Sequence, residues 1–219
     1  MKTNNSNYSR ASLNTKLLKS KPFVEKSQHI QDQILDALEL LAVLGIPIDQ
    51  TPRRLERMTL VFLASSGITP TKTFSEAIDI EQGHSLATRE IIEYLNEHYQ
   101  EKISSGSYDD IRRKDLEMLV PADIILRSNP EAAQNNPTRK YGLSPVYAKL
   151  IRKFGSKDWT NWVTNELKGI EPLAEKLARK RKIEKVPVLL SSGEKLNFSP
   201  GEHNILQKNI IEEFLPIST

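Results

Sequence analysis

The feature that most constrains this chain is the segment Ser107-Tyr-Asp-Asp-Ile-Arg-Arg-Lys-Asp-Leu-Glu-Met-Leu-Val120, in which three consecutive cations open an amphipathic stretch. Ile111, Leu116, Leu119 and Val120 can form one apolar face, while Arg112, Arg113 and Lys114 lie beside it in the first turn. A helix that docks on its own domain through one face and carries cations at its N-terminal end suits the phosphates and base edges of duplex DNA. A solvated amphipathic helix has the same charge pattern. The neighbouring segments therefore decide between the two readings.

Downstream, Ala122-Asp-Ile-Ile-Leu126 and Thr138-Arg-Lys-Tyr-Gly-Leu143 are short apolar runs separated by an Asn/Pro/Gln-rich turn, a hairpin pattern. Upstream, Leu86, Ile91, Ile92, Leu95 and Tyr99 recur at helical spacing. The order helix, turn, basic helix, hairpin is that of a winged helix-turn-helix, spanning about residues 85–145. Its wing would carry Asn135, Asn136, Arg139 and Lys140, placed to lie against a phosphate backbone or reach a minor groove. The expected DNA-binding residues are thus Arg112, Arg113, Lys114, Asn135, Asn136, Arg139 and Lys140.

Composition narrows the class. With 38% hydrophobic and 27% charged residues over 219 positions, the chain has the balance of a soluble globular protein of one large or two small domains. The longest apolar candidate, residues 34–48, is interrupted by Asp36, Glu39, Gly45 and Pro47, so no membrane span is expected. The N-terminus lacks the apolar core of a secretion signal, which makes the cytoplasm the expected location. Absence of cysteine removes disulfides, thiolate catalysis and cysteine-ligated metal. His29, His84, His98 and His203 never fall at metal-ligand spacing, and no glycine-rich phosphate loop occurs.

Residues 1–28 hold six cations against one anion and are rich in Asn, Ser and Lys, which reads as a basic, disordered tail. From His29 helices are expected: to Leu44, stopped by Gly45 and Pro47; from Pro52 to about Ser66, with Arg53, Arg54, Glu56 and Arg57 outside and solvated; from Ser144-Pro145 to Phe154; and one bearing Trp159 and Trp162 on a core face. The cationic run within 175–185 is either a linker that tracks along DNA or a solvated helix.

The residues Arg54-Leu-Glu-Arg-Met-Thr-Leu-Val-Phe-Leu-Ala64, Gly67-Ile-Thr-Pro70, Phe74-Ser-Glu-Ala77, Ile111-Arg-Arg-Lys-Asp-Leu116 and Tyr141-Gly-Leu-Ser-Pro145, in this order, resemble the helix-turn-helix region of BsuBI/PstI-type restriction endonucleases. Phe198-Ser-Pro-Gly-Glu-His-Asn204, followed by Ile210-Ile-Glu-Glu-Phe214, resembles the segment that opens the catalytic domain of that family. The resemblance implies sequence-specific recognition of double-stranded DNA and, in a full-length enzyme, Mg2+-dependent cleavage, with a homodimer matching a palindromic site.

Beyond Phe214-Leu-Pro216 the sequence departs from the family pattern and reads Ile217-Ser218-Thr219, so no nuclease core, and no cofactor of its own, is expected in this chain. Asp158 with Glu166 and Lys168 mimics an Asp…Glu-x-Lys nuclease signature, but all three fall in one helical stretch with no strand to bring them together, so catalysis is not expected there. The expected fold is mainly α: a helical N-terminal bundle with a winged helix-turn-helix, and a short C-terminal β/α segment. Its divisions are the tail at 1–28, a DNA-binding region at 29–170, a basic linker at 171–185 and a truncated start of a nuclease domain at 186–219. The alternative function is a freestanding winged-helix regulator, because a helix-turn-helix by itself fixes DNA binding and no later step.

Overall fold

The computed structural model describes residues 9–129, 139–157, 159–169, 186–189, 195–198, 206 and 208–211. The chain divides into two compact units, 1–173 and 174–219. The first is mostly helical, and the described part of the second is a strand pair with a few helical residues at 206 and 208–211, which agrees with a mainly α chain.

The core of the first unit is built on helices α3 (Gln28–Val43) and α4 (Pro52–Ser65). On α3, Ile30, Ile34, Leu38 and Leu41 recur on one face and are buried. The helix ends where Gly45, at φ 87°, takes a left-handed conformation that costs a residue without Cβ little. Pro52 starts α4, where a missing N–H does no harm. From Met58 onward the helix runs through the interior: Leu60, Val61, Phe62, Leu63 and Ala64 are all fully buried.

The reading of residues 1–28 as a disordered tail is corrected over its described part. Residues Arg10–Leu17 form α1 and Lys21–Val24 form α2. Leu13, Leu17 and Phe23 are at most 1% exposed, so each contributes roughly 1.5–3 kcal/mol of burial. Composition hid this because three apolar residues among many polar ones suffice when they fall on one side. Arg10 reaches across to α3, pairing with Asp36 and with Glu39 at 3.0 Å.

After α4 come two single 3-10 turns, then strand β1 (Leu86–Ala87), helix α5 (Thr88–His98), α6 (Tyr108–Asp110), strands β2 (Ile125–Arg127) and β3 (Lys140–Leu143), and helix α7 (Pro145–Ile151). Ile91, Ile92 and Leu95 bury the inner face of α5. Its end is fixed by the fully buried Tyr99, whose hydroxyl donates to the Ile68 carbonyl at 2.7 Å. The three strands form one antiparallel sheet in the order β1-β3-β2, with Leu86 opposite Tyr141 and Ile125 opposite Leu143. Thus the hairpin pairing expected from the two apolar runs is present, and β1 adds an edge that sequence reading left inside a helix. Gly142 lets this edge approach: a Cβ there would lie 2.4 Å from the His84 carbonyl oxygen.

Helix α8 (Trp159–Leu167) comes after α7. Trp159 and Trp162 are only half-buried, contrary to the expected core face. Trp159 packs edge-on against Phe154, which meets Phe74 in the same way, and the Lys153 ammonium sits 4.1 Å from the Trp162 ring centre. In the second unit, β4 (Val186–Leu189) pairs antiparallel with β5 (Lys195–Phe198), Val186 opposite Phe198. The basic run at 175–185 lies outside the described residues. Among the described residues, no helix is long and apolar enough to cross a membrane.

Candidate nucleic-acid interface

The segment expected as one continuous helix from Ser107 to Val120 is different in the structure. A 3-10 turn leads into the single α turn of α6, which widens into a π-helical turn over Ile111–Asp115, and the chain continues through turns to Asp123. The widening is marked by the Leu116 N–H, which donates to the Ile111 carbonyl five residues back at 3.0 Å. In a regular α-helix, residues five apart point about 140° from each other. The wider turn instead lets Ile111, Asp115 and Leu116 all face inward, and all three are buried.

Asp115 is the reason a polar residue shares that apolar side. Its carboxylate accepts from Arg54 at 3.0 Å and from Arg57 at 2.7 and 3.1 Å, both arginines projecting from α4. Burial pushes the Asp115 carboxyl above its ordinary range while the two guanidinium groups pull the other way. Arg54 also meets Glu117 at 3.5 Å. The expectation that Arg53, Arg54, Glu56 and Arg57 lie outside in solvent is therefore corrected: each is an internal tie, and Glu56 is fully buried. Arg53 reaches Glu101 at 2.6 and 3.0 Å and Glu56 at 2.9 Å, and the buried Lys26 joins Glu101 at 2.6 Å and Glu56 at 3.0 Å. Burial opposes ionisation of Glu101, but hydrogen bonds from Arg53 and Lys26 outweigh it and hold the carboxyl below its usual pKa. Cations that sequence reading placed outside are used to clamp the turn and α2 onto α4.

The outward side of the turn carries the three expected cations. Arg113 and Lys114 are exposed and Arg112 is partly so. All are paired within the turn: Asp109 accepts from Arg112 at 2.5 and 3.1 Å and from Arg113 at 2.6 Å, and Asp110 meets Lys114 at 2.8 Å. The hydrogen bond from Arg112 lowers the Asp109 pKa and that from Lys114 lowers the Asp110 pKa. Between this turn and the β2–β3 pair lies a concavity of about 220 Å³. Leu116, Val120 and Pro121 line its apolar part; Arg112, Arg113, Arg127 and Arg139 supply four guanidinium groups, with Tyr141 and Glu117 completing the wall.

Of the expected wing residues, Arg139 stands at the entry to β3 and is 5% exposed, so it belongs to this concavity rather than to an outer strand surface. Lys140 is half-exposed and bonds Glu90 on α5 at 3.2 Å. Asn135 and Asn136 lie outside the described residues. Sequence reading missed Arg127, which closes β2 opposite Tyr141 and is exposed. The signal was present, since a cation at the end of an apolar strand sits beside the next turn, but that strand was read only for its apolar residues.

The other sequence candidates stay apart. Glu166 and Lys168 are exposed at the end of α8, where the Lys168 ammonium donates to Asn165, and Asp158 lies outside the described residues. His29 bonds the Pro70 carbonyl and His84 the Ala64 carbonyl, while His203 lies outside the described residues.

A family model described as the BsuBI/PstI restriction endonuclease HTH domain matches residues 31–175. The chain belongs to this BsuBI/PstI family. Within it, the chain is similar to the type II restriction enzyme BsuBI of Bacillus subtilis, 28% identical over 192 residues that cover 87% of this chain and 58% of the relative. It is also similar to the type II restriction enzyme AplI of Arthrospira platensis, 22% identical over 188 residues, 85% of this chain and 56% of the relative. Its fold resembles that of the SdaI restriction endonuclease, with a TM-score of 0.54 at 23% identity, over 82% of this chain and 55% of that one. The chain thus spans somewhat more than half the length of the relatives it matches. The matched BsuBI/PstI region contains α4, α5, the π turn, the three-stranded sheet and α7, and therefore the whole four-arginine concavity.

Proposed function

We propose that this chain is the DNA-recognition part of a type II restriction endonuclease of the BsuBI/PstI family, built on a winged helix-turn-helix over about residues 85–145. In this reading α5 and the turn at 108–115 are the two helical elements, and β2–β3 is the wing. Arg112, Arg113 and Lys114 approach the major groove and the flanking phosphates. Arg139, Lys140, Asn135 and Asn136 serve the wing side, and double-stranded DNA is the partner. The sheet order β1-β3-β2, in which a short strand ahead of α5 joins the hairpin, supports the winged topology.

One observation carries the reading: two successive elements, the π turn and the hairpin, bring four arginines to one concave surface. Guanidinium groups gathered on one concave surface suit an anion, and a polyphosphate backbone is the anion the family match favours.

The remaining divisions accord with the same assignment. Residues 29–170 are the DNA-binding region, now extended by α1 and α2. Residues 171–185 are a basic linker, and 186–219 begin a nuclease domain. The full-length enzyme cleaves duplex DNA with Mg2+ in the cytoplasm, as a homodimer on a palindromic site. Among the described residues no three carboxylates or histidines converge to hold a metal ion. No step of cleavage is assigned to the described residues.

The test is binding of a fluorescent duplex, measured by anisotropy across a salt series. Affinity should fall linearly with salt on a logarithmic scale, and replacing Arg112, Arg113 and Lys114 together by alanine should reduce the slope by about 2–3, near 0.9 per phosphate contact. Equal binding by the parent and the triple variant at low salt would refute the assignment of the turn.

A further inference from the structure

Arg112 and Arg113 both line the concavity, and both are held by the same carboxylate. Asp109 accepts from Arg112 at 2.5 Å through one oxygen and from Arg113 at 2.6 Å through the other. A carboxylate bridging two guanidinium groups presents what a phosphodiester presents: two anionic oxygens for paired N–H donors. On the opposite wall Arg127 projects from the end of β2, exposed, with no ion pair among the described residues. Arg139 adds a fourth guanidinium from the start of β3. Glu117, which also lines the concavity, meets Arg54 at 3.5 Å.

We propose that this concavity seats one backbone phosphate of duplex DNA, with Arg127 as a direct contact, and that Asp109 occupies Arg112 and Arg113 until that phosphate displaces it. The inference rests on the DNA-binding reading above and deepens it.

The pairing bears on affinity. Free protein keeps the two arginines paired at the cost of little more than an exposed ion pair, so any duplex must break those bonds before the phosphate can enter. The requirement lowers affinity for duplex of any sequence by the same factor. It therefore sets the absolute affinity and leaves the ratio of specific to non-specific binding unchanged. Asp109 is thus a positioning residue, acting on DNA through Arg112 and Arg113.

Three measurements on the full chain test this, all by anisotropy with one labelled duplex of arbitrary sequence. Arg127→Ala should weaken binding several-fold and lower the salt slope by about 1, the loss of a single phosphate contact. Asp109→Asn should bind about threefold to fivefold more tightly than the parent, the scale of an exposed ion pair. In an Arg112→Ala, Arg113→Ala background, Asp109→Asn should bring no gain, because the groups it restrains are gone. Thermal melts of each variant matching the parent establish that folding is intact.

Tighter binding by Asp109→Asn that persists without Arg112 and Arg113 would mean only a general gain in positive charge, and would overturn the displacement. An Arg127→Ala variant with unchanged affinity and slope would overturn the seat. Inorganic phosphate at matched ionic strength provides a last arm, read by NMR of the Arg127 guanidinium. If phosphate moves that signal and duplex does not, the concavity is a free-anion site and not a DNA contact. A parent protein that binds no duplex at low salt would instead sink the DNA-binding reading itself, whereas a binding parent with inert variants sinks only this inference.

Discussion

Arg57 on α4 and Asp115 at the end of the π turn are joined by two hydrogen bonds to one carboxylate oxygen, from Nη2 at 2.7 Å and Nε at 3.1 Å, with the Asp115 side chain 2% exposed. This pair converts an internal charge into an anchor: the turn that presents Arg112, Arg113 and Lys114 is fixed by the residue directly after them. Removing one partner of a buried ion pair leaves the other uncompensated. Asp115→Ala should therefore destabilise the protein by about 3 kcal/mol, and should weaken duplex binding although Asp115 faces away from the DNA side. Denaturant melts and anisotropy on the same variant check both parts, and an unchanged melting midpoint would show that the tie is dispensable.

The N-terminal helices make a second prediction. Leu17 is fully buried beside α3 and α4, in a stretch whose composition suggests solvent. Leu17→Ala should cost about 3 kcal/mol, as for a large-to-small change in a packed core. A neutral result in urea unfolding would restore the reading of this stretch as a tail.

How much of this was legible in the sequence depends on whether a signal was local. Helices α3, α4 and α5 were readable because their apolar residues recur at helical spacing and their start and stop signals, Pro52 and Gly45 among them, act through neighbouring backbone. The hairpin strands were readable for the same reason. The π turn was not, because it arises from Asp115 finding Arg54 and Arg57, partners 61 and 58 residues away. The same distance effect misled the reading of Arg53, Arg54 and Arg57 as solvated, since Glu101 and Asp115 are invisible from α4. Of the residues that line the concavity, Arg112 and Arg113 were legible from their run of charge, while Arg127 was missed because its neighbours in the concavity are assembled by strand pairing.

Gly142 yields a third prediction. A methyl group at this position would stand 2.4 Å from the His84 carbonyl oxygen and 3.1 Å from the Ile80 side chain. Backbone cannot yield as a side-chain tip does, so Gly142→Ala should separate β3 from β1 and cost about 2–3 kcal/mol. Hydrogen exchange should then quicken at Leu86 and Tyr141, which lie opposite each other in that pair. A melting temperature equal to the parent's would contradict it.

The buried cluster of Lys26, Arg53, Glu56 and Glu101 makes the last prediction, on pH. The Glu101 pKa is lowered in the folded protein: burial opposes ionisation, but the bonds from Arg53 and Lys26 prevail. A carboxyl whose folded pKa lies below its unfolded value, about 4.3, is more protonated in the unfolded chain across that interval. Stability therefore rises with pH through this window. The contribution is fully present above about pH 4.3 and is lost as pH falls through the folded pKa. Glu101→Gln keeps the shape and removes the titration, so it should be less stable than the parent at neutral pH, with the gap narrowing as the solution is acidified below about pH 4.3. Urea unfolding of both proteins between neutral and acid pH measures that gap. A difference that stays constant as pH falls well below about 4.3 would mean that the ionised form of Glu101 adds nothing to the clamp between α2, α4 and the segment leading to the π turn.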